Sequence, residues 1–154
     1  MFDFLAKTTS LVSSSPEETR AFGRKISSQL RAGTVLCLEG DLGAGKTVFS
    51  KGLIASLTNT PEEEIQSPTF VYLNIYETPL FSICHFDLYR MNSHEDFQRL
   101  GFLDYLDGSH VCLIEWPCKI ASLLPKEALS IHLSHITNTK RTITLSPWKR
   151  DLCQ

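Results

Sequence analysis

The segment Gly40-Asp41-Leu42-Gly43-Ala44-Gly45-Lys46-Thr47 has the spacing G-x-x-x-x-G-K-[ST], and these residue types at that spacing are suited to holding a chain of phosphates. Glycines let successive backbone N–H groups turn inward around an anion, and the amino end of a following helix adds positive potential. Lys46 then reaches the β- and γ-phosphates of a purine nucleoside triphosphate, and the Thr47 hydroxyl is able to bind Mg²⁺. The candidate nucleotide-contacting set is therefore Asp41, Leu42, Gly43, Ala44, Gly45, Lys46, Thr47 and the next residue, Val48. A glycine turn without a ligand would have no need of lysine and threonine in those places.

A magnesium ion also needs a carboxylate, and P-loop enzymes place one at the end of a buried strand. Two acidic residues end apolar runs: Asp87 follows Ile83-Cys84-His85-Phe86, and Glu115 follows Val111-Cys112-Leu113-Ile114. The pattern leaves open which of them meets the metal, and Glu115 ends the cleaner run. Thr69, in Ser67-Pro68-Thr69-Phe70, stands where nucleotide-responsive proteins place a loop that senses the γ-phosphate, although a plain Ser-Pro turn accounts for the same residues. His85 beside Asp87 has the type for acid–base work, but a histidine in an apolar run is more often packed and hydrogen-bonded. Trp116 and Tyr89 read as core aromatics, with stacking on a base or a partner as the alternative.

These residues must be positioned by a strand before the glycine loop and a helix after it. Thr34 to Glu39 is an almost wholly apolar run, the pattern of a strand buried on both faces of a parallel sheet. From Gly45 to about Leu57 the apolar residues follow helical spacing, interrupted only by Gly52. Upstream, Ser15-Pro16-Glu17-Glu18 starts a helix whose stripe is Phe22, Ile26 and Leu30, with Gly33 as its stop. Thr60-Pro61-Glu62-Glu63 gives at most one turn before Ser67-Pro68. Phe70–Tyr76 and Leu80–Phe86 read as strands joined by a turn, Ser93 caps a short helix ended by Gly101, and 110–114 is a further buried strand. Alternation at Leu129, Ile131, Leu133 and again at Ile143 and Leu145 predicts a C-terminal antiparallel hairpin. The expected fold is α/β: a small P-loop NTPase fold with a central, mostly parallel sheet flanked by helices, in a single domain over residues 1–154.

Composition bounds the partners. The chain has 154 residues and a formal charge of -2, so no bulk positive field draws it onto nucleic acid or a membrane. Five cysteines, Cys37, Cys84, Cys112, Cys118 and Cys153, include no CxxC pair and read as unpaired thiols in a reducing compartment. Met1 to Val12 lacks an apolar stretch of signal-peptide length, and no window approaches a membrane span, so a cytoplasmic address is expected.

GDLGAGKT at Gly40–Thr47, SPTF at Ser67–Phe70, HFDLYR at His85–Arg90, LGF at Leu100–Phe102 and LIEWP at Leu113–Pro117 together resemble the TsaE (YjeE) family, P-loop ATPases of bacterial tRNA threonylcarbamoyladenosine biosynthesis. The resemblance runs in order from about Ser15 to Leu145. It implies a slow accessory ATPase that binds ATP and Mg²⁺ and acts with the TsaB–TsaD complex, reaching tRNA only through that complex. It further implies that Lys46 and its loop hold the phosphates, Thr47 and Glu115 the magnesium, that Asp87 serves in hydrolysis, that Thr69 belongs to a switch-like loop, and that Trp116 lies near the nucleotide. Two positions depart from the family pattern: Val48 stands where a second Ser or Thr is usual, and Cys118 where an acidic residue is common.

A regulatory GTPase would need an N-K-x-D guanine-reading motif, which the chain lacks. A small-molecule kinase would need a substrate insert or an arginine-rich lid, and Arg90 is the only arginine immediately beside a candidate motif. A partner protein that retains nucleotide without turning it over is the third reading.

Overall fold

The elements follow the order of the apolar patterns along the chain. In a computed structural model, which describes residues 7–153, the strands are β1 (Thr9–Ser13), β2 (Val35–Glu39), β3 (Leu73–Glu77), β4 (Ser82–Asp87), β5 (Val111–Glu115), β6 (Leu129–His135) and β7 (Arg141–Pro147), and the helices are α1 (Pro16–Ser27), α2 (Lys46–Leu57) and α3 (His94–Arg99). Short 3₁₀ turns lie at Glu62–Glu64, Phe102–Leu106, Pro117–Leu123 and Arg150–Cys153. Half of the Met1–Val12 segment falls outside the described residues.

Among the described residues the strands form one sheet in the order β1-β7-β6-β2-β5-β4-β3. Its centre, β6-β2-β5-β4, is parallel, and antiparallel pairs close both sides, β3 on β4 and β7 on β6. The parallel centre explains the unbroken apolar runs, because every residue from Val111 to Glu115 is buried and successive side chains feed opposite faces. Leu36, Leu38 and Leu113 pack with Phe22, Phe49 and Leu53 of α1 and α2. Cys37, Cys112 and Ile114 pack on the other face with Phe97 of α3 and Ile120. Helices therefore cover both faces of the parallel centre.

The α1–α2 contact depends on two glycines. A Cβ at Gly52 would lie 2.2 Å from the Arg20 carbonyl oxygen, and one at Gly23 would lie 2.4 Å from that of Phe49, so the bare backbones set the spacing of the helices. This accounts for a glycine inside α2, where propensity alone opposes it. At the start of α1, the Ser15 Oγ accepts from the Glu18 amide at 3.1 Å, and Glu18 Oε2 in turn accepts from the Ser14 amide at 2.6 Å. The helix ends at Ser27, short of the expected stop at Gly33. Leu30 continues the apolar spacing from the loop and is buried there, while Gly33 serves the next turn at φ 94°.

Three further differences from expectation have physical causes. β1 carries no sequence signal because it is a short edge strand with three polar residues in five and no apolar alternation, placed by its register against β7 (Leu11 opposite Ile143). β3 starts at Leu73 rather than Phe70, since the chain is still turning at Tyr72, which has φ 67°. The expectation of five unpaired thiols is corrected at two positions: Cys118 and Cys153 form a disulfide, whereas Cys37, Cys84 and Cys112 are free and buried. The paired cysteines are 35 residues apart, a separation that local spacing rules do not search. Among the described residues no helix is long and apolar enough to cross a membrane.

Candidate functional site

β2 ends at Glu39, and the glycine loop turns immediately above the carboxyl edge of the parallel strands before entering α2 at Lys46. The turn needs backbone that only glycine adopts readily: Gly43 has φ 79° and Gly45 φ 108°. At Gly45 a side chain is also excluded sterically, since its Cβ would lie 2.4 Å from Arg141 Nη1. The first amides of α2 have no intrahelical acceptor and point with the helix dipole toward the loop, an arrangement able to accept an anion.

A cavity of about 400 Å³ at this edge is lined by Leu42, Gly43, Ala44, Gly45, Lys46, Thr47 and Val48, by Ser67 and Thr69, and by Asp87, Glu115, Trp116 and Arg141. It brings together residues from the glycine loop, the Ser67–Phe70 loop and the ends of β4 and β5. Asp41 is the exception among the candidates: it lines a neighbouring cavity, and its backbone carbonyl accepts from Lys46 Nζ at 3.2 Å. Lys46 Nζ also donates to the Gly40 carbonyl and lies 4.4 Å from the centre of the Trp116 ring. Burial lowers the Lys46 pKa, while Glu115, Asp87 and Asp41 act in the opposite direction. Trp116 holds a left-handed backbone (φ 60°, ψ 52°) and packs its ring on Tyr89 at 5.0 Å.

The two strand-end carboxylates are register partners on β4 and β5 and are both buried. The Ser67 hydroxyl stands between them, 2.6 Å from Asp87 Oδ2 and 2.9 Å from Glu115 Oε2. Thr69 Oγ1 donates to the same Asp87 oxygen at 2.9 Å, and the Tyr89 amide donates to Asp87 Oδ1 at 3.0 Å. His85, fully buried, sets its Nε2 3.2 Å from Glu115 Oε2, so the packed and hydrogen-bonded reading of this histidine holds. A hydroxyl carries one proton and cannot donate to both carboxylates, which leaves this donor set short of positive charge. The oxygen ligands Thr47, Asp87 and Glu115 suit a hard divalent cation. Among the described residues no group of three or more His, Cys, Asp or Glu side chains is placed to hold a metal alone. Mg²⁺, which keeps waters and phosphate oxygens in its shell, needs only one or two protein carboxylates and so fits.

Three lining residues, Pro16 at the start of α1, Ser67 and Arg141, carry no site signal in the sequence. Ser67 lies 20 and 48 residues from the carboxylates it bridges, so only its neighbour Thr69 carried a local signal. Arg141 opens β7, donates from Nη1 to the Ala44 carbonyl at 2.7 Å, and keeps a buried Nε without a partner. Arg141 is 97 positions from Ala44 in the sequence, and no local pattern marks it.

The glycine loop thus joins a central parallel strand to a helix that opens on its own lysine, which places the chain in the class of P-loop α/β proteins. A model of the family described as threonylcarbamoyl adenosine biosynthesis protein TsaE matches residues 13–143, and the chain belongs to that family. It is 39% identical over 131 residues to the tRNA threonylcarbamoyladenosine biosynthesis protein TsaE of Bacillus subtilis, covering 85% of this chain and 80% of the relative. The protein of the same name from Treponema pallidum is 40% identical over 135 residues, covering 88% and 98%. The crystal structure of Bacillus subtilis YdiB superposes with a TM-score of 0.73 at 33% identity, covering 96% of this chain and 91% of that one.

Proposed function

We propose that the chain is an ATP-binding, slowly hydrolysing accessory ATPase of tRNA threonylcarbamoyladenosine biosynthesis that works with a TsaB–TsaD complex in the cytoplasm. The observation that carries this reading is the meeting of Lys46, Thr47, Asp87 and Glu115 around one cavity at the carboxyl ends of parallel strands. Family membership supplies the pathway.

In this reading the amides of Gly43 to Thr47 bind the phosphates, and Lys46 exchanges its carbonyl acceptors for phosphate oxygens. Charged Lys46 is poorly served by two carbonyls and an aromatic face, so an incoming polyanion improves its environment. Thr47 and Glu115 would hold Mg²⁺, which would supply neutralisation of phosphate charge. Asp87, fixed by Tyr89, Ser67 and Thr69, orients the attacking water. Trp116 covers the phosphate end and limits the access of bulk water. Thr69 and Ser67 sit on one short loop that contacts both carboxylates, so a γ-phosphate that draws on these hydroxyls would move the loop. The exposed Phe70 and Val71 next to it would then present a nucleotide-dependent surface to the partner. With a net charge of -2, tRNA is reached through the partner rather than by this chain alone.

The test is ATP turnover by the pure protein with and without TsaB–TsaD. Turnover should rise with the complex, partner affinity should differ between an ATP analogue and ADP, and Thr69→Ala should narrow that difference more than it weakens ATP binding. Equal partner affinity in both nucleotide states with no stimulation would overturn the assignment.

A further inference from the structure

The disulfide lies beside the element that covers Lys46. Cys118 is exposed and belongs to the turn Pro117–Leu123, and Cys153 belongs to the turn Arg150–Cys153, so the bond ties the end of the described chain to the segment following β5. Their Cα atoms are 5.3 Å apart, and the loop they close contains all of β6 and β7. The tied turn begins directly after Trp116, whose left-handed backbone persists only if its surroundings enforce it. Buried Pro117 and Ile120 fix the turn from inside, and the disulfide fixes it from outside. Cys118 also lines the neighbouring cavity of about 400 Å³, together with Trp116 and with Gly40 and Asp41, whose carbonyls accept from Lys46. One bond therefore stands two residues from the ring over Lys46 and across a cavity from that lysine's acceptors. The remaining thiols play no part: Cys37, Cys84 and Cys112 are buried, and burial pushes the Cys37 thiol up so that it stays protonated.

We propose that Cys118–Cys153 is a reversible thiol–disulfide exchange site that takes a dithiol as reductant, and that its redox state sets the affinity of the adjoining cavity for nucleotide. The coupling rests on the nucleotide reading above. In the exchange a dithiol thiolate attacks the sulfur of exposed Cys118, the S–S bond breaks, and its electron pair leaves on the Cys153 sulfur, which takes a proton. The second thiol of the reagent, as thiolate, then attacks the mixed disulfide and releases Cys118, which is protonated in turn. Two cysteines gain two electrons and two protons, and the dithiol becomes a disulfide. Reduction frees the turn after Trp116, loosens the ring over Lys46 and lowers nucleotide affinity.

The experiment uses the full chain prepared without reductant. Alkylation under denaturing conditions, read by intact mass, should add three groups before and five after treatment with excess dithiothreitol. Calorimetric titration with a non-hydrolysable ATP analogue and Mg²⁺ should then show affinity at least about fivefold weaker in the reduced protein, the lower end of ordinary coupling between sites. Cys153→Ser should bind as the reduced wild type does and ignore dithiothreitol. Five alkylated cysteines in the untreated protein, or a Cys153→Ser variant that still responds to dithiothreitol, would overturn the site. Equal, tight binding in both redox states would overturn the coupling and leave the nucleotide reading intact, whereas no binding in either state would overturn both.

Discussion

Replacing Glu115 by Gln removes one charge from a buried pair while keeping its shape, and two effects of opposite sign should follow. Asp87 Oδ2 and Glu115 Oε2 lie 2.6 and 2.9 Å from the same Ser67 Oγ, so they are separated by no more than the sum of these distances, about 5.5 Å. Two unit charges at that distance repel by about 3 kcal/mol at an effective dielectric constant of about 20. Nearby Lys46 offsets part of this, leaving roughly 1–3 kcal/mol of relief when one charge is removed. For a chain of this size the melting temperature of the metal-free, nucleotide-free protein should rise by roughly 3–10 °C. With its oxygen in the place of Oε2, the amide still accepts from Ser67 Oγ and still faces His85 Nε2, so both existing contacts are kept. Magnesium-dependent ATP binding should meanwhile weaken by at least about tenfold, the floor set by losing even an outer-shell partner of a metal. Thermal unfolding monitored by circular dichroism and a Mg²⁺ titration of ATP binding measure the two effects. Asp87→Asn should share the stabilisation but slow turnover while leaving ATP binding largely intact. A Glu115→Gln protein that melts lower and binds Mg²⁺·ATP as the wild type does would make Glu115 an anchor for Ser67 and His85 rather than a metal ligand.

Other consequences can be measured separately. Burial lowers the Lys46 pKa below its ordinary 10.5, so between that lowered value and 10.5 the unfolded chain binds the additional proton and wild-type stability gains with rising pH. Urea unfolding of wild type and Lys46→Met across this range should show the wild type gaining relative to the variant; a flat difference would contradict the buried, desolvated lysine. Gly52→Ala places a Cβ 2.2 Å from the Arg20 carbonyl oxygen, so α1 and α2 must part at a cost of about 1–3 kcal/mol, seen as a lower melting temperature. An unchanged melting curve would show that the helix pair is not in such close contact.

Local chemistry was legible in the sequence and long-range contact was not. The glycine loop, the buried strand before it and the helix after it are contiguous, so pattern and context could be read together over residues 34–57. β4 and β5 announced themselves as apolar runs ending in Asp87 and Glu115 because a parallel centre buries both faces. The over-reading of α1 has a specific cause: Leu30 keeps the helical spacing and is buried, yet beyond Ser27 the chain closes with i→i−3 bonds from Gln29 and Leu30 and leaves the helix. Ser67 between two carboxylates, Arg141 on the Ala44 carbonyl and Cys118 on Cys153 are all set by how distant strands line up, and no local periodicity encodes that alignment.

The proposed activity depends on this cavity binding a nucleoside triphosphate through Lys46. Calorimetric titration of ATP into the full chain, with and without Mg²⁺ and beside Lys46→Ala, measures that binding. The wild type should bind saturably and more strongly with Mg²⁺, and a Lys46→Ala protein that still unfolds cooperatively should not bind. No binding by the wild type, or binding of equal strength by a folded Lys46→Ala protein, would contradict it.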